Sequence, residues 1–580
     1  MTPASRRQSL QARRADWFAL LRIRAGVVAT LFILAFGVVQ AKLFSLGFAA
    51  LQEPDTIVAR HTDEAPRRGN IYDRNGLLLA TSLEVMSLYA DPKAILDVKE
   101  AVYKLSRVLP ELNASSIKER LQRPGRFVWL KRRLTPDEVY NVNALGLPGL
   151  GFRKEYVRVY PQRELAAHIV GSVDPDGRGL AGVERTQNEA LTQGQDVRLT
   201  IDIRLQHLLR QAVAEQMVST HAKAAAGMVL DPATSDILAA VSLPDFDANH
   251  FGKASSTQWK NIFAQQVYEP GSTFKVFTFA QALEQGLINL KQKFDCTEPL
   301  TIGGFTINDY KPKKAWLTGE EVMLHSSNIG TARIADYFPE GSQQAFLNKL
   351  HLLSQLDTGF GGEGVPLYPA SHQWKRLATI SIAYGHTMAV TPLHILAGYS
   401  AIIGDGYWRE PKLVQAAERA APTKVISPET VAMMRTLMAA TAEHGTGRLA
   451  RVAGYPVGGK TGTAEKNTVG GYDVNKNIAS FVGAAPIHDP KLVTLVMFDE
   501  PNQAYNTGGM IAAPAFAKFN AQALPLLGVV PVVTQPLKLP TMPQHVQAPE
   551  GLNAAPLEAK IYPAHYPKSY QEFSAYERAQ

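Results

Sequence analysis

Lys460 stands in GYPVGGKTGTA, residues 454–464, a stretch open to two chemistries. Gly454, Gly459, Lys460 and Thr461 satisfy the spacing of a nucleotide-binding P-loop, in which backbone N–H groups and a lysine cradle phosphates. Lys460-Thr461-Gly462-Thr463 could instead be the cationic edge of an acyl-transfer site. A P-loop requires a helix that starts at the lysine, because the phosphates sit on the helix N-terminus. After Lys460 the chain runs TGTAEKNTVGGYDVNKNIASFVGAAP, rich in threonine, valine and glycine pairs. That pattern predicts a strand, a turn near Gly470-Gly471 and a second strand from about Asn477, so the phosphate reading fails.

An acyl-transfer site also needs a nucleophile and a base. Ser-x-x-Lys occurs twice. Ser115 and Lys118 lie in NASSIKERLQ, a charged helical stretch that leaves both solvated. Ser272 and Lys275 lie in YEPGSTFKVFTFAQALEQGLI, where Pro270-Gly271 opens a helix whose following turns are almost wholly apolar. Spacing i, i+3 puts Lys275 over the face of Ser272. Apolar surroundings disfavour the lysine's charged form and lower its pKa toward that of a usable base. A serine in the first turn has the positive end of the helix dipole behind any alkoxide it forms.

A third polar element interrupts TGEEVMLHSSNIGTARIADYF. Thr318 and Glu321 read as a capping box for one short helix. Ser326-Ser327-Asn328 breaks it, and a second helix runs on from about Ile329. Taken by itself such a corner is a helix connection. The single cysteine, Cys296, cannot close an intramolecular disulfide and reads as a small buried hydrophobe. No Cys/His cluster has metal-ligand spacing, and neither a metal nor a cofactor is called for.

The elements that must position these groups lie in a chain of 580 residues, 46% hydrophobic, which is enough for two to four domains. The formal net charge is +8, but six arginines (Arg6, Arg7, Arg13, Arg14, Arg22, Arg24) stand before residue 25 against one acid, Asp16. That cluster accounts for five of the eight charges and leads into the uncharged run AGVVATLFILAFGVVQA, Ala25–Ala41. The pattern predicts an uncleaved transmembrane anchor rather than a cleaved signal peptide. The N-terminus is cytoplasmic and everything after Lys42 lies outside the cytoplasm. The basic excess is therefore a topology signal, and no nucleic-acid partner is expected. From Pro525 to Pro567 nine prolines without a periodic run read as an extended tail.

The order Ser-x-x-Lys, Ser-x-Asn, Lys-Thr-Gly, with 54 residues from Ser272 to Ser326 and 134 from Ser326 to Lys460, resembles the penicillin-binding protein and serine β-lactamase superfamily. RRGNIYDRNGLLLA (Arg68, Gly69, Asp73, Arg74, Gly76) and the later Arg158, Tyr160, Pro161, His168, Gly171, Gly182 and Glu184 resemble the N-terminal pedestal signatures of class B penicillin-binding proteins. As residues they read as glycine-rich turns braced by ion pairs. YEPGSTFK and NKNIASFVGAAPIHDPKLVTLVMFDEP look most like the cell-division type, the FtsI-like peptidoglycan D,D-transpeptidases. In LPDFDANHF, Ala248 stands where that family commonly has proline.

The resemblance implies a multidomain α/β membrane-anchored protein. Its expected parts are a basic cytoplasmic tail (1–24), a transmembrane anchor (25–42), a mixed α+β pedestal (43–215), a transpeptidase domain with an antiparallel sheet flanked by helices (216–525) and a Pro-rich tail (526–580). It implies that Ser272 attacks the carbonyl between the terminal D-alanines of a peptidoglycan stem peptide, with Lys275 as base. Ser326 would relay the proton to the leaving amine. Backbone N–H groups of Ser272 and Thr463 would form the oxyanion hole, Asn328 would hold the substrate amide, and Lys460, Thr461, Gly462 and Thr463 would bind the terminal carboxylate. β-Lactams would be inhibitors. The expected place is the bacterial inner membrane, single-pass, with the catalytic domain periplasmic and at the septum beside a SEDS-type glycosyltransferase and other division proteins. The alternatives are an elongation-type transpeptidase, a β-lactamase, and a non-catalytic β-lactam sensor or division scaffold.

Overall fold

The computed structural model describes residues 67–532 apart from 416–418, 469–470 and 503–505, together with residues 26, 30, 31 and 34–42. Among the described residues no helix is long and apolar enough to cross a membrane. The expected basic tail, about a third of the expected anchor and nearly all of the Pro-rich tail lie outside the described residues.

The first half of the chain builds a five-stranded sheet from β1 (Ile71–Tyr72), β2 (Leu78–Ala90), β3 (Val128–Leu134), β4 (Leu150–Val159) and β5 (Val197–Arg198). Its pairs are antiparallel except β1 with β5. Three helices, α1 (Val98–Val108), α2 (Ala114–Leu121) and α3 (Pro136–Ala144), share a separate small core with β2 and β3 around Leu88, Leu105, Ile117 and Leu130. Ser115 and Lys118, the first Ser-x-x-Lys pair, are exposed on α2, which Asn113 caps.

At the base of this sheet Glu184 is fully buried between two guanidiniums, accepting from Arg68 Nε at 2.7 Å and Arg158 Nε at 2.6 Å. The arginines also donate to the Glu184 and Gly69 carbonyls, so the ion pairs clamp the RRGN turn to the GLAGVE turn. Glu184→Ala would leave two buried cations without a counter-charge, a change that costs about 3–5 kcal/mol in comparable pairs. Chemical unfolding of the variant is expected to show a loss of that size. A loss below about 1 kcal/mol would mean that the arginines reach water when the carboxylate is gone.

The second half is organised on another five-stranded sheet. Along the chain come α4 (Ile203–Ser219), β6 (Ala224–Leu230), β7 (Ile237–Leu243), α5 (Lys275–Glu284), α6 (Gly319–His325), α7 (Asn328–Ala335), α8 (Pro428–Glu443), β8 (Gly458–Thr468), β9 (Gly471–Ala485), β10 (Leu492–Asp499) and α9 (Ala513–Leu526). The sheet order is β8-β9-β10-β6-β7, antiparallel throughout, with β8 at one edge. Period-2 alternation sends Ile478, Val482, Leu495 and Met497 to one face, among α5 and α8, and Phe481, Val496 and Phe498 to the other, under α4 and α9. Both faces are covered, which is why β10 reads LVTLVMF without polar alternation. The Phe481 and Phe516 rings meet edge-on at 4.8 Å, tying α9 to the sheet.

One expectation is corrected. β9 begins at Gly471, not Asn477, because pairing with β8 continues past a register shift at Glu465/Lys466. The helix α4 is capped by Asp202 and packs on β6 and β7. The packing is continuous from the first sheet into α4: the buried Asp73 carboxylate accepts from the backbone N–H of Ile203 at 3.3 Å. At the other end α9 runs to Leu526.

Candidate active site

Four segments converge at the β8 edge. The first is the turn before α5. Gly271–Phe274 is a 3-10 turn and the α-helix proper starts at Lys275, a tighter entry than the single helix that the sequence suggests. Tyr399 Oη donates to the Thr273 carbonyl at 2.6 Å and fixes the turn from below. Ser272 stays part-exposed, and its side chain makes no hydrogen bond among the described residues.

Lys275 is fully buried. Its Nζ donates to the Ser326 carbonyl at 2.6 Å, to Asn328 Oδ1 at 2.7 Å and to Ser326 Oγ at 3.2 Å. Desolvation pushes its pKa well below the ordinary lysine value, the charge of Lys460 adds to that, and Asp309 opposes it.

The second segment is the corner between α6 and α7. Thr318 and Glu321 close the capping box as expected. Ser326 takes a left-handed conformation, φ 58°, to end α6, and Ser327 caps α7, which begins at Asn328. The third is β8, where Lys460 is also fully buried and donates to Ser326 Oγ at 2.7 Å. Burial alone lowers its pKa to about 7. One serine hydroxyl therefore sits between two lysine nitrogens, a chain along which a proton can pass.

The rest of the Lys-Thr-Gly-Thr stretch is held from its neighbours. Thr461 Oγ1 and Thr446 Oγ1 are 2.8 Å apart, and Thr463 Oγ1 accepts from Gly508 N at 3.1 Å. Gly462 is pinned by space: a Cβ there would stand 2.4 Å from Ser480 Oγ and 2.8 Å from Thr273 Cγ2. Any side chain would push the nucleophile turn off the strand edge. Lys460 lies within a strand, not at a helix start, so the phosphate cradle is absent in structure as in sequence.

All the residues singled out from sequence, Ser272, Lys275, Ser326, Asn328, Lys460, Thr461, Gly462 and Thr463, thus belong to one cluster. Asn328 differs in detail: its Oδ1 receives Lys275, and its Nδ2 donates to the Asn308 carbonyl at 2.9 Å, so its amide serves the lysine before it serves any ligand. Cys296 is buried, its thiol pKa pushed up chiefly by that burial, as fits a packed side chain. Among the described residues no group of acids, histidines or cysteines could hold a metal ion.

The fourth segment went unnoticed in sequence. Asp309 accepts from Ser327 Oγ at 2.7 Å, Asn328 N at 2.5 Å and Ile329 N at 3.0 Å, joining the N-terminus of α7 to the loop that carries it. Nothing in TINDYKPKKAW marks it, since an Asn-Asp pair reads as a turn and only folding brings it to the corner. Thr446 was missed for the same reason.

Comparison with known proteins agrees with this architecture. Residues 225–521 match the family described as penicillin binding protein transpeptidase domain, and residues 63–197 match the penicillin-binding protein dimerisation domain. A probable peptidoglycan D,D-transpeptidase FtsI of Caulobacter vibrioides is 35% identical over 483 residues, 80% of this chain and 82% of its own. The probable peptidoglycan D,D-transpeptidase PenA of Neisseria meningitidis is 31% identical over 519 residues, 84% of this chain and 88% of its own. A peptidoglycan synthetase from Bifidobacterium adolescentis shares the fold with a TM-score of 0.67 at 22% identity, over 81% of this chain and 97% of that one.

Proposed function

The chain belongs to the penicillin-binding protein transpeptidase family, and from that premise we propose that it is a class B peptidoglycan D,D-transpeptidase of the cell-division type. The observation that carries the chemistry is the Ser326 hydroxyl held between the buried Lys275 and Lys460. Ser272 is the nucleophile, part-exposed at the mouth of the cluster. Lys275 takes its proton, and Ser326 passes a proton to the departing D-alanine. Lys460, with Thr461 and Thr463, receives the terminal carboxylate of the stem peptide, Gly462 gives that carboxylate room at the strand edge, and the backbone N–H groups of Ser272 and Thr463 receive the carbonyl oxygen. Asn328, already oriented by Lys275 and Asn308, meets the substrate amide. β-Lactams, which carry a carboxylate beside a reactive carbonyl, acylate the same serine.

The division assignment is supported by the FtsI relatives, from Caulobacter vibrioides and, at 27% identity, from Escherichia coli. On this reading the chain is held at the inner membrane through the 25–42 segment, with the folded parts in the periplasm and a SEDS-type glycosyltransferase as partner. The test is cellular. A fluorescent fusion of the full chain is expected at midcell, and its depletion is expected to give filaments. Lateral patches and rounded cells on depletion would make it an elongation enzyme instead.

A further inference from the structure

Transfer to an amine involves one proton more than acylation does. A primary amine is an ammonium near neutral pH and must lose two protons to become an amide nitrogen. Acylation delivers the Ser272 proton to the departing amine, which leaves Lys275 neutral. In the second half-reaction Lys275 can return one proton to Ser272. The other requires a second base beside the ester.

A carboxylate–imidazole pair is carried by the two segments that meet at the nucleophile turn. Glu269, three residues before Ser272, accepts from His386 Nδ1 at 3.1 Å and from the backbone N–H of Thr387 at 3.1 Å. The segment that carries His386 is pressed onto the nucleophile turn. Gly271 N donates to the Gly385 carbonyl at 3.1 Å, and a Cβ on Gly385, whose φ is +93°, would stand 1.9 Å from Gly271 O. Ser272 and His386 each lie one residue beyond that contact. Thr387 is held in the left-handed region at φ 65°, which a β-branched residue adopts only under constraint, and Ser381 Oγ at 2.6 Å from its Oγ1 supplies part of it. The His386 side chain keeps 32% exposure and Glu269 18%, so the pair reaches solvent. The Tyr384 ring lies against the imidazole, centroid to centroid 5.3 Å.

We propose that His386, oriented by Glu269, is the base that takes the first proton from the acceptor ammonium. A carboxylate on Nδ1 fixes the tautomer in which Nε2 accepts. The ammonium gives a proton to Nε2, and the freed lone pair forms the N–C bond to the acyl carbon. The C–O bond to Ser272 breaks, and the alkoxide recovers the second nitrogen proton through Lys275. The imidazolium then releases its proton to water. The step rests on the transpeptidase reading of the same site.

The test uses the full chain, a depsipeptide donor and D-alanine as acceptor, and reads the ratio of aminolysis to hydrolysis products. Both products come from one acyl-enzyme, so slower acylation or partial unfolding cancels from the ratio. His386→Gln is expected to lower it about tenfold near neutral pH, and the deficit should shrink as the pH approaches the acceptor amine's own pKa, where the free amine needs no base. Glu269→Gln should change it in the same direction. A ratio within twofold of wild type, or a deficit that is the same at every pH, overturns the proposal. A wild-type protein that acylates but never transfers to the amine overturns the transferase reading, and this base with it.

Discussion

Ser272→Ala is expected to abolish covalent labelling by a fluorescent penicillin while leaving the fold intact. The Ser272 side chain is part-exposed and has no hydrogen bond to lose among the described residues, so its truncation changes stability by no more than about 0.5 kcal/mol. The lysine that would act on it is held independently: Lys275 Nζ is anchored to the Ser326 carbonyl, Ser326 Oγ and Asn328 Oδ1, and none of those bonds involves Ser272. Base, relay and carboxylate site therefore survive in a variant that lacks only the attacking oxygen. Loss of a nucleophile in an enzyme of this logic costs on the order of 10⁴- to 10⁶-fold. The measurement is a labelling time course on wild type and variant at matched folded fractions, followed by a chase. Retained labelling in the variant would put the nucleophile elsewhere. Rapid loss of the adduct from wild type would make the protein a hydrolase rather than a transferase.

The motifs were legible because each carries its own local structure. Pro270-Gly271 before an apolar helix, a capping box at Thr318 and paired glycines between β-rich runs are short-range signals, and all three segments fold near where they predict. Their convergence was not written in any single one. Ser115 and Lys118 have the same spacing as Ser272 and Lys275, and only the burial of the following turns separated them. Asp309, Asn308 and Thr446 were invisible because they act across loops of no periodicity. The start of β9 was misplaced for a related reason: its first residues, GYDVNK, look like turn and linker, and pairing with β8 overrides that propensity. The place of α4 was not legible either, because its apolar face is used by the second sheet, a fact of packing rather than of composition.

Lys275→Ala is expected to slow acylation by about 10²- to 10⁴-fold, the range that a positioned general base supplies. The stronger test is the pH dependence. Lys275 is useful as the neutral amine, and burial, aided by the charge of Lys460, holds its pKa well below the ordinary lysine value. The wild-type rate should therefore rise as the pH climbs through that depressed value and level off above it. Lys460 is useful in the opposite form, because an ammonium attracts the substrate carboxylate. Its pKa is lowered to about 7 by burial, so binding of a carboxylate-bearing substrate should weaken as the pH rises through that region. The product is a bell in the second-order acylation rate, whose acidic limb belongs to the rate of acylation and whose alkaline limb belongs to affinity. Lys275→Ala should remove the acidic limb, and Lys460→Gln should remove the alkaline one at the cost of a weaker complex. An acidic limb that survives in Lys275→Ala would assign the base to another group. An alkaline limb that survives in Lys460→Gln would mean that the carboxylate is held by the Thr461 and Thr463 hydroxyls and the strand edge without help from the buried charge.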